Sequence, residues 1–471
     1  MKTADSLGIP ADTTALNANQ RETASSSALA QQLHENQKPT REAVVEYLKG
    51  DQSTFDALAP EILPAEADVG TVFDTDAHAL VSVFRHRNYR LFYSGQLVSL
   101  VGTWITLVAQ GWLVYSLTQS PFLLGLVSFC AQLPVFFLSP LGGIVADHFD
   151  RRRILIATQF LSMAQSITLA LLTLLKAINF TDIAILALFQ GVINSFDLPA
   201  RQSMTILMVG KREVRKAVSL NSISFNLARI GGPAIAGFLI ATAGPAICFC
   251  IDSVSYLAVL TSLVSMSSLH KPTKKLGNPL RALFEGFVYV WQNRRIRTPL
   301  ILISICSAFG ASYLVFLPEV AKDILHRQSE GLGLMYTTIG LGALLGAYFL
   351  SRFPDRLLFG VSVASALLFG VSLIGFSQSS VFWLSLLLLI PTSCCSMLLG
   401  GSVNTSIQLA SRDEMRGRVM AIYAMSFMGF LPCGALILGA LAQHLGIETI
   451  IGLGGSLCTF AAAIALWSSR K

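Results

Sequence analysis

Gly142-Gly143-Ile144-Val145-Ala146-Asp147-His148-Phe149-Asp150-Arg151-Arg152-Arg153 joins two long apolar segments, residues 123–146 and 154–175. Each is long enough to cross a bilayer core, which takes about 20 apolar residues in a helix. Three consecutive arginines cannot follow them into lipid, so the stretch is a turn at a membrane surface. Glycine lets two helices approach closely, and a carboxylate beside guanidinium groups can lock or release such a turn electrostatically. Gly143, Asp147, Arg151 and Arg152 are therefore expected to form a gate.

Ten further segments of the same kind are read at 91–117, 183–208, 217–240, 247–266, 300–320, 332–350, 357–376, 382–405, 419–442 and 447–467. Composition agrees: 53% of residues are hydrophobic and 13% charged, against about 25% charged in soluble domains. Mean hydropathy is +0.61. Backbone in lipid must satisfy its own hydrogen bonds, so the segments are helices. The expected fold is an all-α membrane protein with twelve transmembrane helices in two six-helix bundles.

Charge sets the orientation. Alternate loops carry Arg151–Arg153, Lys211, Arg212, Arg352, Arg356, Arg412 and Arg416, while the opposite loops carry only Lys176, Lys322 and Arg327. The basic loops are expected in the cytoplasm, with both termini on that side of a bacterial cytoplasmic (inner) membrane. Residues 1–80 hold five Lys/Arg against thirteen Asp/Glu, leaving the excess of cations on the membrane region. That distribution is topogenic, and no basic domain for nucleic acid is present. The eight cysteines fall inside the apolar segments, with neither disulfide nor zinc spacing. No metal, cofactor or phosphate-loop constellation is seen, and an enzyme is not expected.

Four regions follow. Residues 1–84 form an acidic, partly disordered cytoplasmic tail without signal-peptide pattern. Within it, helical spacing at 41–49 and apolar residues to 63 suggest a docking segment for a protein partner or for the membrane region's own cytoplasmic face. Residues 85–268 are the first bundle and 300–471 the second. Residues 269–299 link them, with Leu280, Leu283, Phe284, Phe287, Val288 and Trp291 on one face of an amphipathic helix and Arg281, Glu285 and Gln292 opposite, as expected for a helix on the membrane surface. An internal echo supports duplication: Glu213, Arg215 and Val218 recur as Glu414, Arg416 and Val419, each just before a long helix.

These features resemble the major facilitator superfamily, whose loop between helices two and three carries Gly-x-x-x-Asp-Arg-x-Gly-Arg-Arg. Here His148 stands for the first Arg and Asp150 for the second Gly, so a titratable group replaces a permanent charge. The entry stretch Phe84-Arg85-His86-Arg87-Asn88-Tyr89-Arg90, the run Asn194–Gln202, Asn226–Pro233 and Asp413–Arg418 resemble the branch of bacterial enterobactin exporters and macrolide-efflux proteins. The resemblance covers about residues 84–467. It implies alternating access, and it relates Gly232, Pro233 and Gly237 to the antiporter signature of the fifth helix, whose upstream glycines are replaced by Ser219 and Ala228.

Charges within apolar segments cost roughly 2.5–3.5 kcal/mol on insertion scales and mark function. Asp197 and Arg201 are spaced to pair on one helix face; Arg229, Asp252 and Glu319 stand alone. A carboxylate in low dielectric suits a proton carrier, so Asp252 or Glu319, with Arg229, is expected to couple protons. Gln96, Gln110, Gln132, Gln165, Gln190 and Asn194, accompanied by Trp104, Trp112, Phe136 and Phe137, suit an amphipathic substrate. The expected function is proton-coupled export of a small amphipathic molecule (siderophore, drug or secondary metabolite) by a monomer in contact with membrane lipid. A lysolipid flippase, an importer and a non-transporting sensor using the tail are the alternatives.

Overall fold

The computed structural model describes residues 82–266 and 279–469. The expected docking segment at 41–63 lies outside these residues, as do the side chains of Asp147, Leu280, Arg281 and Leu283. Among the described residues every element is helical, and twelve helices are long and apolar enough to cross a membrane. The first six are α1 (Arg87–Thr118), α2 (Pro121–His148), α3 (Arg151–Leu174), α4 (Phe180–Gly210), α5 (Lys216–Ala243) and α6 (Pro245–Ser265). A shorter helix, α7 (Pro279–Gln292), precedes α8 (Arg294–Ile324), α9 (Ser329–Leu350), α10 (Leu358–Ser377), α11 (Phe382–Ala410), α12 (Glu414–Leu445) and α13 (Ile447–Ser469).

Local chemistry sets the helix ends. Ser120 caps α2 ahead of Pro121, a proline at the first helical position where its missing N–H costs nothing. Asp150 caps α3 by accepting from the Arg152 N–H at 3.0 Å, and Asn179 with Asp182 forms a reciprocal capping box for α4. Between α4 and α5 helical hydrogen bonding runs on, but Gly210 at φ 74° breaks the axis. Only glycine takes that conformation at no steric cost.

Close glycine contacts hold each bundle. A Cβ on Gly102 of α1 would meet Ser255 Oγ of α6 at 2.6 Å, and one on Gly370 of α10 would meet the Gly455 carbonyl of α13 at 2.5 Å. Between the bundles, Gly125 of α2 packs on the Ala435 carbonyl of α12, and Gly237 of α5 packs on Gly333 of α9. Ser120 accepts from Gln443 Nε2 at 2.9 Å, and Ser329 Oγ donates to the Gly237 carbonyl at 3.2 Å. The Tyr115 hydroxyl donates to Asp323. These cross-bundle contacts all lie toward the face opposite Arg151–Arg153, so the bundles are closed on one another at the arginine-poor end.

The amphipathic helix is present as α7, and its polar face docks on protein. Glu285 accepts from Arg418 Nη1 at 2.5 Å, and Gly286 rests against Arg418 and Ile422 of α12. The apolar face therefore points outward, with Phe284 69% and Trp291 67% exposed.

Candidate transport and coupling site

At the loop that fixed the fold, the two glycines separate in role. Gly142 is pressed so closely on the Ser195 backbone of α4 that no side chain fits, while a Cβ on Gly143 would meet nothing within 4 Å. The close approach expected of Gly143 is thus made by its neighbour. Arg151 Nε donates to the Ala146 carbonyl at the end of α2. Arg152 donates to the Leu263 and Val264 carbonyls at the end of α6, at 2.6 and 2.7 Å. A guanidinium there satisfies terminal carbonyls and complements the negative end of the helix. These bonds lie within the first bundle rather than across to the second. The backbone of Asp147 is in the last turn of α2.

Asp252 lies deep in the first bundle, 2% exposed. Ser166 Oγ of α3 donates to its Oδ2 at 3.1 Å. Gly102 of α1 leaves room for the carboxylate, since a Cβ there would lie 2.7 Å from Oδ1. Thr106 and Ser255 hydroxyls sit beside the carboxylate, yet Oδ1 and Thr106 Oγ1 each lack a hydrogen bond of good geometry. A buried carboxylate oxygen left this way is costly, and such residues in a membrane helix point to function.

Asp197, by contrast, is saturated. Its Oδ1 accepts from Thr158 Oγ1 and Gln159 Nε2 of α3, both at 2.8 Å. Its Oδ2 accepts from Arg201 Nε at 2.9 Å and from the same guanidinium's Nη2. Through Thr158 and Gln159, Asp197 holds α3 to α4.

The other expected coupling residues stand at the boundary between bundles. Glu319 of α8 is 9% exposed with Oε2 unpartnered, beside Pro318, whose ring a Cβ on Gly111 of α1 would meet at 3.4 Å. Arg229 of α5 is half-buried within electrostatic reach of Tyr313 of α8, and its carbonyl approaches Gly340 of α9. Asp252 and Asp197 thus belong to the first bundle's interior, Glu319 and Arg229 to the interface. The fifth-helix motif divides likewise: Gly232 faces Trp104 of α1 and Gly237 faces α9. Gln165, expected among substrate-facing groups, is instead buried at 5% exposure.

Nothing in the sequence pattern marks the three π-helical turns among the described residues, Cys306–Gly310 and Val320–Ile324 in α8 and Met425–Gly429 in α12. The first and the last face each other, with Ser307 Oγ donating to the Phe427 carbonyl at 2.5 Å and, just beyond them, Ser312 Oγ to the Leu431 carbonyl at 3.2 Å. Such widened turns occur often at functional sites. Among the described residues no three His, Cys, Asp or Glu side chains cluster as metal ligands.

The family described as transmembrane secretion effector matches residues 78–470. The staphyloferrin A transporter of Staphylococcus aureus is 27% identical over 81% of this chain and 96% of its own length. The multidrug efflux pump Tap of Mycobacterium tuberculosis is 27% identical over 80% and 92%. The enterobactin exporter EntS of Shigella flexneri is 25% identical over 76% and 85%. In fold, the chain is similar to a bacterial homologue of the iron transporter ferroportin solved in an inward-facing state, with TM-score 0.62 and 15% identity over 82% of this chain and 99% of that one. These relatives are transporters rather than enzymes. The match runs through all twelve spans, and the chain belongs to the transmembrane secretion effector family of major facilitator transporters.

Proposed function

We propose that this protein is a proton-coupled exporter of a small amphipathic molecule, of the siderophore or drug class, working by alternating access in a bacterial cytoplasmic membrane. The basic loops face the cytoplasm in this reading, so the closed, arginine-poor end faces outward, which supports an inward-facing state. Substrate enters between the bundles, which then rock about the α2–α12 and α5–α9 contacts. Asp147, Arg151 and Arg152 set the cytoplasmic gate, with Gly142 rather than Gly143 making the close approach to α4. Asp252 carries the proton, with Glu319 and Arg229 relating its charge state to the interface.

The observation that carries the coupling is Asp252, buried in a membrane helix with Oδ1 unpartnered. A carboxylate so placed is stable when protonated and uncomfortable when ionised, as a proton carrier must be. Support for export comes from the efflux and siderophore functions in the names of its relatives.

The test is flux of staphyloferrin A, enterobactin and a cationic dye in proteoliposomes, with and without an imposed pH gradient. Gradient-driven accumulation that disappears in Asp252→Asn is expected. Equal flux with and without the gradient would overturn proton coupling, and no flux of any probe would overturn the substrate class.

A further inference from the structure

Residues Thr158, Gln159, Ser162, Gln165 and Ser166 form one face of α3, and all five are buried at 5% exposure or less. Their spacing repeats at the helical period, so they make a continuous polar stripe, rising about 12 Å from Thr158 to Ser166 at 1.5 Å per residue. At its upper end Ser166 Oγ donates to Asp252. One turn below Asp252, Tyr256 lies beside Ser162. Ser162 also accepts from Gln190 Nε2 of α4 at 3.1 Å, and Gln190 donates on to Asn194. At the lower end Thr158 and Gln159 bond to Asp197, which holds Arg201. Arg201 is 26% exposed and Asp197 5%, so this pair forms the mouth of the stripe toward the arginine-rich face.

Four atoms along this column are buried without a hydrogen bond of good geometry: Thr106 Oγ1, Asp252 Oδ1, Gln159 Oε1 and Gln190 Oε1. Orphaned polar atoms gathered in one place are the setting in which buried water is held, each molecule bonding about three such groups. The groups facing Asp252 are Thr106 of α1, Ser166 of α3, and Ser255 and Tyr256 of its own helix. Asp197 and Arg201 are the charged groups next along the column through Tyr256.

We infer that the buried polar column of the first bundle is a hydrated proton conduit joining Asp252 to the Asp197–Arg201 pair at the arginine-rich face. It runs inside one bundle, apart from the interface through which substrate passes. A proton leaving the Asp252 carboxyl moves to water held between Ser166, Ser162 and Gln159, and an equivalent proton leaves from water at the mouth. The Asp197–Arg201 pair, tied to Thr158 and Gln159, closes the column at its mouth. Gln159, Ser162 and Ser166 are positioning residues for that water. The inference deepens the role proposed for Asp252 and rests on it.

The test uses the full chain in liposomes and needs no substrate. Infrared difference spectra across a pH step identify the Asp252 carboxyl band by its loss in Asp252→Asn, and transfer to heavy water then gives the rate at which that band exchanges. Gln159→Leu and the milder Ser162→Ala are expected to keep the band and slow its exchange roughly tenfold or more, the kinetic equivalent of one lost hydrogen-bonded step. Exchange at the wild-type rate in Ser162→Ala and in folded Gln159→Leu would overturn the conduit. If Gln159→Leu fails to fold, Ser162→Ala alone decides. Absence of an Asp252 carboxyl band at any pH overturns the conduit together with the role of Asp252. A slowed band in a protein whose flux ignores the pH gradient upholds the conduit and overturns only the coupling of export to it.

Discussion

His86 Nε2 lies 2.7 Å from Glu213 Oε2, tying the turn before α1 to the elbow between α4 and α5. Ser82 Oγ donates to Glu213 Oε1 at 3.1 Å, and Tyr89 donates to the Ala217 carbonyl at 3.2 Å over a small core that includes Val83, Phe92 and Met204. The hydrogen bond from His86 holds the Glu213 carboxyl below the usual carboxylate range, against the opposing effect of its desolvation and with further help from Ser82 and Lys216. A depressed carboxyl contributes its full stability above its unfolded value and loses it as pH falls through the folded value. The clasp is therefore expected to hold at neutral pH and to loosen progressively below the ordinary glutamate value of 4.5. Hydrogen exchange of residues 82–86 measures this, and Glu213→Gln should expose the segment already at neutral pH.

The second bundle has a matching clasp with the charges reversed. Arg418 of α12 binds Glu285 of α7, and the Arg412 N–H donates to the Tyr289 hydroxyl at 3.2 Å. In each half the segment leading into the bundle is tied to the elbow before the fifth span of that half. Both partners are more than a third exposed, 35% and 42%, so solvent screens the pair. Such pairs contribute roughly 0–1 kcal/mol. Glu285→Arg and Arg418→Glu singly are expected to change melting temperature little but to free α7, and the double exchange should re-dock it. Spin-label mobility on α7 reads the outcome, and equal mobility in the double and single variants contradicts pairing as the docking force.

Arg152 makes two hydrogen bonds to the end of α6, from Nε and Nη2. A lysine has no fork and keeps only one of them. Arg152→Ala is expected to cost about 1–2 kcal/mol through unsatisfied carbonyls and the uncompensated helix end, with Arg152→Lys between it and wild type. Thermal unfolding in detergent gives the order, and a lysine variant equal to wild type would show that charge alone matters.

The two buried aspartates should separate in the same assay. Asp197→Ala removes a carboxylate with four donors around it and leaves Arg201 partly buried, an expected loss of about 3 kcal/mol, the low end for broken buried pairs because Arg201 reaches solvent. Asp252→Asn keeps the shape of a group whose Oδ1 already lacks a partner, so a change under about 1 kcal/mol is expected. The reverse order would make Asp252 the structural residue and Asp197 the mobile one.

Twelve spans were legible because lipid demands long apolar runs and because prolines and glycines punctuate them. The span read at 247–266 is Pro245–Ser265, its start set by Gly244 at φ 80° and Pro245. The helix at 279–292 was legible from its apolar face, and the echo of Glu213 in Glu414 marked the elbows. What binds those elbows was not, because His86 and Glu213 are 127 residues apart. Gly142 and Gly143 are indistinguishable by composition; which of them meets α4 is set by the rotation of α2. The polar face of α3 is visible as a period in Thr158, Gln159, Ser162 and Ser166, but a polar face suits a substrate cavity as well as a bundle interior. Packing alone assigns it to the interior.

Gly237 and Gly333 meet backbone to backbone where the bundles close. A Cβ on Gly237 would lie 3.0 Å from the Gly333 Cα and 2.7 Å from the Ser329 carbonyl oxygen. Neither neighbour is a flexible side chain, so the strain of a larger residue cannot relax locally. Overpacking of this kind costs about 1–3 kcal/mol, which moves a two-state equilibrium by about 5–150-fold. Because the strain falls on the arginine-poor end alone, Gly237→Val is expected to open that end and close the arginine-rich end, without unfolding either bundle. Distances between spin labels on α5 and α9, taken at both ends, measure the shift. Lengthening at the arginine-poor end with shortening at the other is the expected pair, and lengthening at both ends would show instead that the bundles come apart.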